Sequence, residues 1–337
     1  MFRHAPAPTL ANEPCPAPMS GAERAPLLIH IGFHKTGSTW LQQQIFGSAD
    51  HGFTTETGRP RHQIVHDFVT ADAFQFSPDE ARASYARHIA AAKNQGWTLV
   101  VSHERLSGYP SSGGHDRRLI ADRLHATFPQ ARILMILREQ RSLIRSMYSQ
   151  HITDGGTGSL RAFLASVEPH LGRRPGFRLS TYEFDGMIQY YQRLFGRDKL
   201  LVLPYEMLAE EPAWFVARIQ DFCGFTGEPV GRANRANEGR SLLMQLVQRR
   251  LNALFYDNEL SPGALVAIPR FAPRFGAMRG LFEAFSPRRL ERYLHARLRD
   301  QVEAHVGSHY AQSNWRTQEL TGLDLARYGY PVSEPLA

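Results

Sequence analysis

The sequence predicts an α/β fold, a three-layer α/β/α arrangement around a central parallel sheet with a helical C-terminal part. Three observations predict it. Short runs at 27–31, 97–102, 132–137 and 200–203 are dominated by Leu, Ile, Val and Met, as in strands buried on both faces of a parallel sheet. Longer segments with helical periodicity separate these runs. From Arg240 onward only helical periodicity is left.

In chain order, the first 26 residues hold six prolines and no hydrophobic stretch. They read as a disordered tail and not as a signal peptide. Residues 27–337 read as one domain, because no linker composition interrupts them. The first apolar run stops at Gly32, and a helix follows within a few residues. Ser77-Pro78-Asp79-Glu80 starts a later helix with a capping hydroxyl, a proline at the first helical position and early acids. Further helices are expected over 116–128, 140–151, 183–195 and 212–223. Leu243, Leu246, Val247, Leu251 and Leu254 make one apolar stripe, expected to face the core. No internal repeat is present.

The chain has 337 residues and a formal net charge of +7. A surplus of this size suits an anionic partner or simple solubility. Arginine supplies nearly all of it, since Lys35, Lys93 and Lys199 are the only lysines. Cys15 and Cys223 are far apart and have no Cys/His cluster beside them. That pattern excludes a disulfide framework and a zinc site, and it fits a reducing compartment. No apolar run reaches the roughly 18 residues that span a bilayer, so a cytoplasmic location is expected. His62 and His66 stand one helical turn apart; without a third ligand they read as surface histidines.

The stretch Gly32-Phe33-His34-Lys35-Thr36-Gly37-Ser38-Thr39-Trp40 falls between a strand and a helix. In open α/β sheets ligands sit there, against free N–H groups and a positive dipole end. An ATP-binding loop would read GxxxxGK[ST], with its hydroxyl on Mg²⁺. Here the lysine precedes the glycine, and the loop has no Gly-Lys pair. What is left is a phosphate cradle that needs no metal. A second stretch, ILMILREQRSLIRSMYSQH, puts Arg138 at a strand end, Ser146 eight residues later and Tyr148 beyond it. A guanidinium at that edge can fork two phosphate oxygens.

Together these stretches resemble the two phosphate motifs of sulfotransferases that use 3′-phosphoadenosine 5′-phosphosulfate (PAPS). The resemblance implies a P-loop-NTPase-like fold. It also implies that Lys35, Thr36, Gly37, Ser38, Thr39 and Trp40 surround the 5′-phosphosulfate, and that Arg138 and Ser146 take the 3′-phosphate. One departure is Gln140, where many relatives have proline. The stretch 200–225, LLVLPYEMLAEEPAWFVARIQDFCGF, and the C-terminal helices resemble the bacterial branch of the family, so that the likeness covers roughly 27–330. Arg240, in NEGRS, stands where relatives often return a basic residue to the nucleotide; a surface charge is an equal reading. Arg141 and Arg145 read as solvated helix-face charges.

The implied reaction moves a sulfuryl group from PAPS to an acceptor hydroxyl, leaving adenosine 3′,5′-bisphosphate (PAP). Lys35 would neutralise charge growing on the bridging oxygen. A general base is also needed. The strand 97–102 runs into SHERLSG, which supplies Glu104 as the favoured base and His103 as the second choice. A glutamate base resembles glycan sulfotransferases, so the expected acceptor is a glycan, glycolipid or glycosylated metabolite, with small alcohols and phenols left open. A divergent P-loop kinase using Mg-ATP is the alternative, although no apolar run ends in the aspartate such enzymes need. No nucleic-acid motif is present. The arginine-rich segment 269–300, with its interleaved aromatics, reads as an exposed helical face; it could also rest on a membrane or an acidic polymer.

Overall fold

A computed structural model describes residues 24–55, 62–110, 113–165, 176–225, 241–255 and 287–334. Five strands form the sheet: β1 Leu27–His30, β2 Phe53–Thr54, β3 Thr98–Ser102, β4 Arg132–Leu137 and β5 Leu200–Pro204. Their order is β2-β3-β1-β4-β5, and every pair is parallel. The first four expected runs are all strands. The additional β2 is two residues long, too short to carry a period.

From β1 the chain crosses to the edge strand β2, returns to β3 beside β1, and then passes to β4 and β5 on the other side, so β1 lies where the strand order switches direction. Alternate residues of each strand enter opposite cores, as the pleat requires. Ile29, Val101, Ile133 and Met135 enter one core. Leu28, Val100, Leu134 and Ile136 enter the other. Both faces are therefore dry, which explains the near-continuous apolar runs.

The helices are α1 Ser38–Gln44, α2 Pro78–Asn94, α3 Arg117–Thr127, α4 Gln140–Thr153, α5 Leu160–Leu164, α6 Phe184–Phe195, α7 Tyr205–Glu210, α8 Pro212–Phe222, α9 Leu242–Phe255, α10 Arg288–Val306 and α11 Ala311–Thr321. The cap expected for α2 is present: the Ser77 hydroxyl accepts from the Glu80 amide at 3.2 Å. Chain packing begins before the expected boundary at Leu27. The Ala25 amide donates to the Cys223 carbonyl at 3.1 Å, and the Ala25 carbonyl accepts from the Thr98 hydroxyl at 2.8 Å.

One expectation changes. The apolar stripe of α9 does not face the core: Leu246 and Leu254 are 38% and 39% exposed. The buried face carries Gln245, Gln248 and Asn252. Asn252 donates to the carbonyls of Ile152 and Gly156 at 2.7 and 3.1 Å. The end of α4 leaves carbonyls that need donors, and an amide face satisfies them where leucines cannot. The departure at Gln140 also has a reason. Its amide is fully buried and donates to Asn314 Oδ1 at 2.6 Å, while Asn314 donates back to Gln140 Oε1 at 3.2 Å. This pair fastens α11 to the start of α4.

No helix among the described residues is long and apolar enough to cross a membrane.

Candidate functional site

The site is built at the C-terminal ends of β1, β3 and β4. His30 ends β1, fully buried, with Nδ1 2.8 Å from the Ser102 hydroxyl at the end of β3. Gln42 of α1 donates to that same hydroxyl at 2.8 Å. The two strand ends and the helix after the loop are thus tied together. Gly32 follows because a Cβ there would lie 2.4 Å from His30 Nε2.

The loop then takes two left-handed residues, Lys35 at φ 66° and Gly37 at φ 82°. A lysine in that region is unusual, and it is held from outside. Arg138 donates through Nη1 to the Lys35 carbonyl at 2.8 Å. Lys35 Nζ donates to Gln150 Oε1 on α4 at 2.6 Å. Gly37 needs both its φ and its missing side chain, since a Cβ would come within 2.9 Å of Leu208 and 3.2 Å of the Tyr205 ring.

The loop hydroxyls divide into different roles. Thr36 is fully buried and donates to the Phe33 carbonyl at 2.6 Å. Its hydroxyl closes the turn. Ser38 differs, because its Oγ is buried with no hydrogen-bond partner among the described residues. A buried hydroxyl left without a partner costs free energy, so Oγ is suited to receive one from a ligand. Thr39 is exposed and Trp40 half-buried, with the indole packed against the second core.

Arg138 leaves β4 and lies 5.0 Å over the Tyr205 ring. Its Nε and Nη2 both donate to the Ser142 hydroxyl, at 3.2 and 2.9 Å. Ser146 lies one turn further on the same face of α4, half-buried. Sequence reasoning singled out Ser146 and missed Ser142, which holds the guanidinium in place. Glu139 caps α4, accepting from the amides of Arg141 and Ser142 at 3.0 and 2.8 Å.

The two arginines read as solvated charges are otherwise. Arg141 bonds Glu139 at 2.7 Å, Glu303 at 2.8 Å and the Gly329 carbonyl at 2.9 Å. It braces α4 against α10. Arg145 is half-buried and has neither a hydrogen bond nor an ion pair among the described residues. Burial chiefly lowers its pKa; Glu139 opposes this, and Arg138, Arg141 and Arg299 add to it. An uncompensated guanidinium beside Arg138 is one that an anion would stabilise.

On the other side of the loop, His103 and Glu104 follow β3. His103 Nδ1 accepts from the Arg105 amide at 3.0 Å and lies 3.8 Å from Glu104 Oε2. Since Nδ1 accepts, the neutral ring carries its proton on Nε2 and can offer only a donor there. Arg105 bonds Asp116 at 2.8 Å and lies over the Tyr109 ring.

His34, which the sequence did not mark, joins this group. Its ring lies 5.9 Å from that of Tyr109. Burial pushes its pKa down to about 4, Glu104 opposes this, and Arg105, His103 and Lys35 add to the lowering. It is neutral at pH 7. His62 and His66 lie exposed, apart from these residues. Arg240 lies outside the described residues, as do 269–286 of the arginine-rich segment. Among the described residues no cluster of metal-ligating side chains occurs.

A family model described as the Sulfotransferase family matches residues 26–229. No curated protein matches the sequence. Among solved structures, the chain is similar to a sulfotransferase from Alicyclobacillus acidocaldarius at 19% identity, over 68% of this chain and 94% of that one, with a TM-score of 0.46. It is also similar to the sulfotransferase domain of the Synechococcus PCC 7002 olefin synthase, at 14% identity over 77% and 94%, TM-score 0.35. A third is the sulfotransferase domain from the curacin biosynthetic pathway, at 13% identity over 82% and 96%, TM-score 0.36. The matched span covers more than half of the chain and takes in all five strands, the loop after β1 and the start of α4; the chain belongs to the sulfotransferase family.

Proposed function

We propose that this chain transfers a sulfuryl group from PAPS to a hydroxyl of a carbohydrate or glycoconjugate. The observation that carries the reading is the bond from Arg138 to the Lys35 carbonyl. It ties the strand-end guanidinium of Arg138 to the backbone of the loop that carries Lys35, so the two basic residues belong to one rigid unit.

The residues present fit such a donor. Among the described residues, Ser38 Oγ is a buried hydroxyl without a partner and Arg145 is a half-buried cation without an ion pair. In this reading the amides of Gly37 to Thr39 and the hydroxyls of Ser38 and Thr39 hold the 5′-phosphate. Arg138, oriented by Ser142, holds the 3′-phosphate with Ser146 and Arg145, and Arg240 remains a further candidate. The bound donor supplies the sulfuryl group and a phosphate leaving group.

Lys35 offsets charge that grows on the leaving oxygen, in a site where the donor group is already in position. When it does so it exchanges Gln150 for the ligand, an exposed hydrogen bond that is cheap to give up. Glu104 takes the proton of the acceptor hydroxyl. His103 fixes the turn that carries Glu104 and presents Nε2–H. Neutral His34 adds no positive charge beside Glu104.

The test is transfer of label from PAPS to a panel of polysaccharides, glycolipids and phenols, with labelled ATP and Mg²⁺ run in parallel. Labelled sulfate on a glycan, absent with Glu104→Gln, is the expected result. Labelled phosphate on any acceptor, with no sulfate transfer, overturns the reading.

A further inference from the structure

Across α4 from the loop is a cavity of about 720 Å³, within the range of small-molecule sites. It lies between α4, α5, α9 and α10. Its floor is apolar: Ile152, Leu160, Leu164, Leu246 and Leu298. Its rim carries Arg161, Arg249, Arg250 and Arg297, and among the described residues no carboxylate lines it. None of these arginines makes an ion pair with a described residue; Arg249 donates to the Tyr148 hydroxyl at 3.1 Å.

This is where the unexpected exposure of α9 leads. Leu246, expected in the core, faces the cavity. The helical end of the arginine-rich segment, with Leu294, Arg297 and Leu298, forms the opposite wall. Apolar side chains left open inside a ring of unpaired cations favour one kind of occupant: a chain that is removed from water and ends in a negative charge.

The cavity is separate from the donor loop. Gln150 reaches Lys35, whereas Tyr148 and Ile152 line the cavity. Residues two positions apart on an α-helix, as Gln150 is from both Tyr148 and Ile152, are about 200° apart around its axis, so α4 stands between the two places. From this we infer that the cavity is a second binding site, for a single-chain amphiphilic anion whose apolar tail lies on the leucine floor and whose acidic head meets the arginine rim. The inference does not rest on the proposed donor or acceptor.

Laurate, kept below its micelle concentration, is the probe, titrated calorimetrically into the full chain. Acetate tests the head alone, and lauryl alcohol tests the tail alone. One saturable laurate site is expected, with acetate silent and lauryl alcohol at least tenfold weaker. Arg161 and Arg297 are exposed, so Arg161→Gln/Arg297→Gln removes charge without disturbing a packed contact. Losing two charge-assisted contacts should weaken laurate about tenfold or more. Leu246→Trp, at a 38% exposed position, should block the floor and abolish binding while circular dichroism stays unchanged. Absence of a saturable laurate site overturns the proposal. So does laurate affinity that is unchanged in both variants.

Discussion

Arg138 Nη1 donates to the backbone carbonyl of Lys35 at 2.8 Å, joining residues 103 positions apart. The contact fixes a lysine that sits at φ 66°, and it fixes the guanidinium that comes from the next strand. A left-handed non-glycine residue costs about 1–2 kcal/mol, and here the half-buried Arg138 offsets it. The loop and the strand end are therefore one unit, so damage to either should reach the other.

Gly37 tests that unit from inside the loop. Gly37→Ala puts a methyl group at φ 82°, 2.9 Å from Leu208 Cδ2. Strain and contact together should lower unfolding free energy by about 1–2 kcal/mol, read as a lower urea midpoint. An unchanged midpoint would mean that the loop does not hold this conformation.

Glu104 tests the chemistry. Glu104→Gln should reduce kcat roughly 10²- to 10⁴-fold while leaving calorimetric affinity for PAP unchanged. His103→Gln should cost less, because the amide oxygen can still accept from Arg105. If His103→Gln removed more activity than Glu104→Gln, the assignment of the base would be reversed.

The pairing of Gln140 with Asn314 gives a stability prediction. Asn314→Ala leaves the fully buried Gln140 amide without its main partner and should cost about 1–3 kcal/mol. It should also loosen α11, visible as faster amide exchange in that helix alone. Full stability in Asn314→Ala would refute this role.

His34 links the site to pH. Its pKa is lowered from 6.5 to about 4 by burial above all. The unfolded chain therefore binds this proton more readily than the folded one between those values. Stability from this group is complete above about pH 6.5 and falls as pH drops toward 4, by at most about 3 kcal/mol. In His34→Gln the acid-side loss should be smaller by that amount, measured by urea unfolding at a series of pH values. Parallel curves for the two proteins would contradict it.

The fold was legible where burial leaves a local signature. Strands dry on both faces write continuous apolar runs, so β1, β3, β4 and β5 could be read directly. The two residues of β2 carry no pattern. The orientation of α9 was read backwards because its docking face satisfies the carbonyls of Ile152 and Gly156 with Asn252, and a periodicity argument sees only leucines. The site followed the same rule. Lys35, Gly37 and Arg138 are marked by strand ends and turn chemistry. Ser142 meets Arg138 one helical turn away, a pairing that the apolar pattern does not mark. Arg141 takes its role from Glu303 and Gly329, and His34 from Tyr109 and Glu104, all distant in sequence, so nothing local distinguishes Arg145 from Arg141.

The most direct measurement is calorimetric titration of the chain with PAP and, separately, with Mg²⁺-ATP, for wild type and Arg138→Ala. The account predicts one PAP site, no Mg²⁺-ATP binding, and PAP affinity weakened at least tenfold in the variant. Binding of Mg²⁺-ATP with no binding of PAP would contradict it.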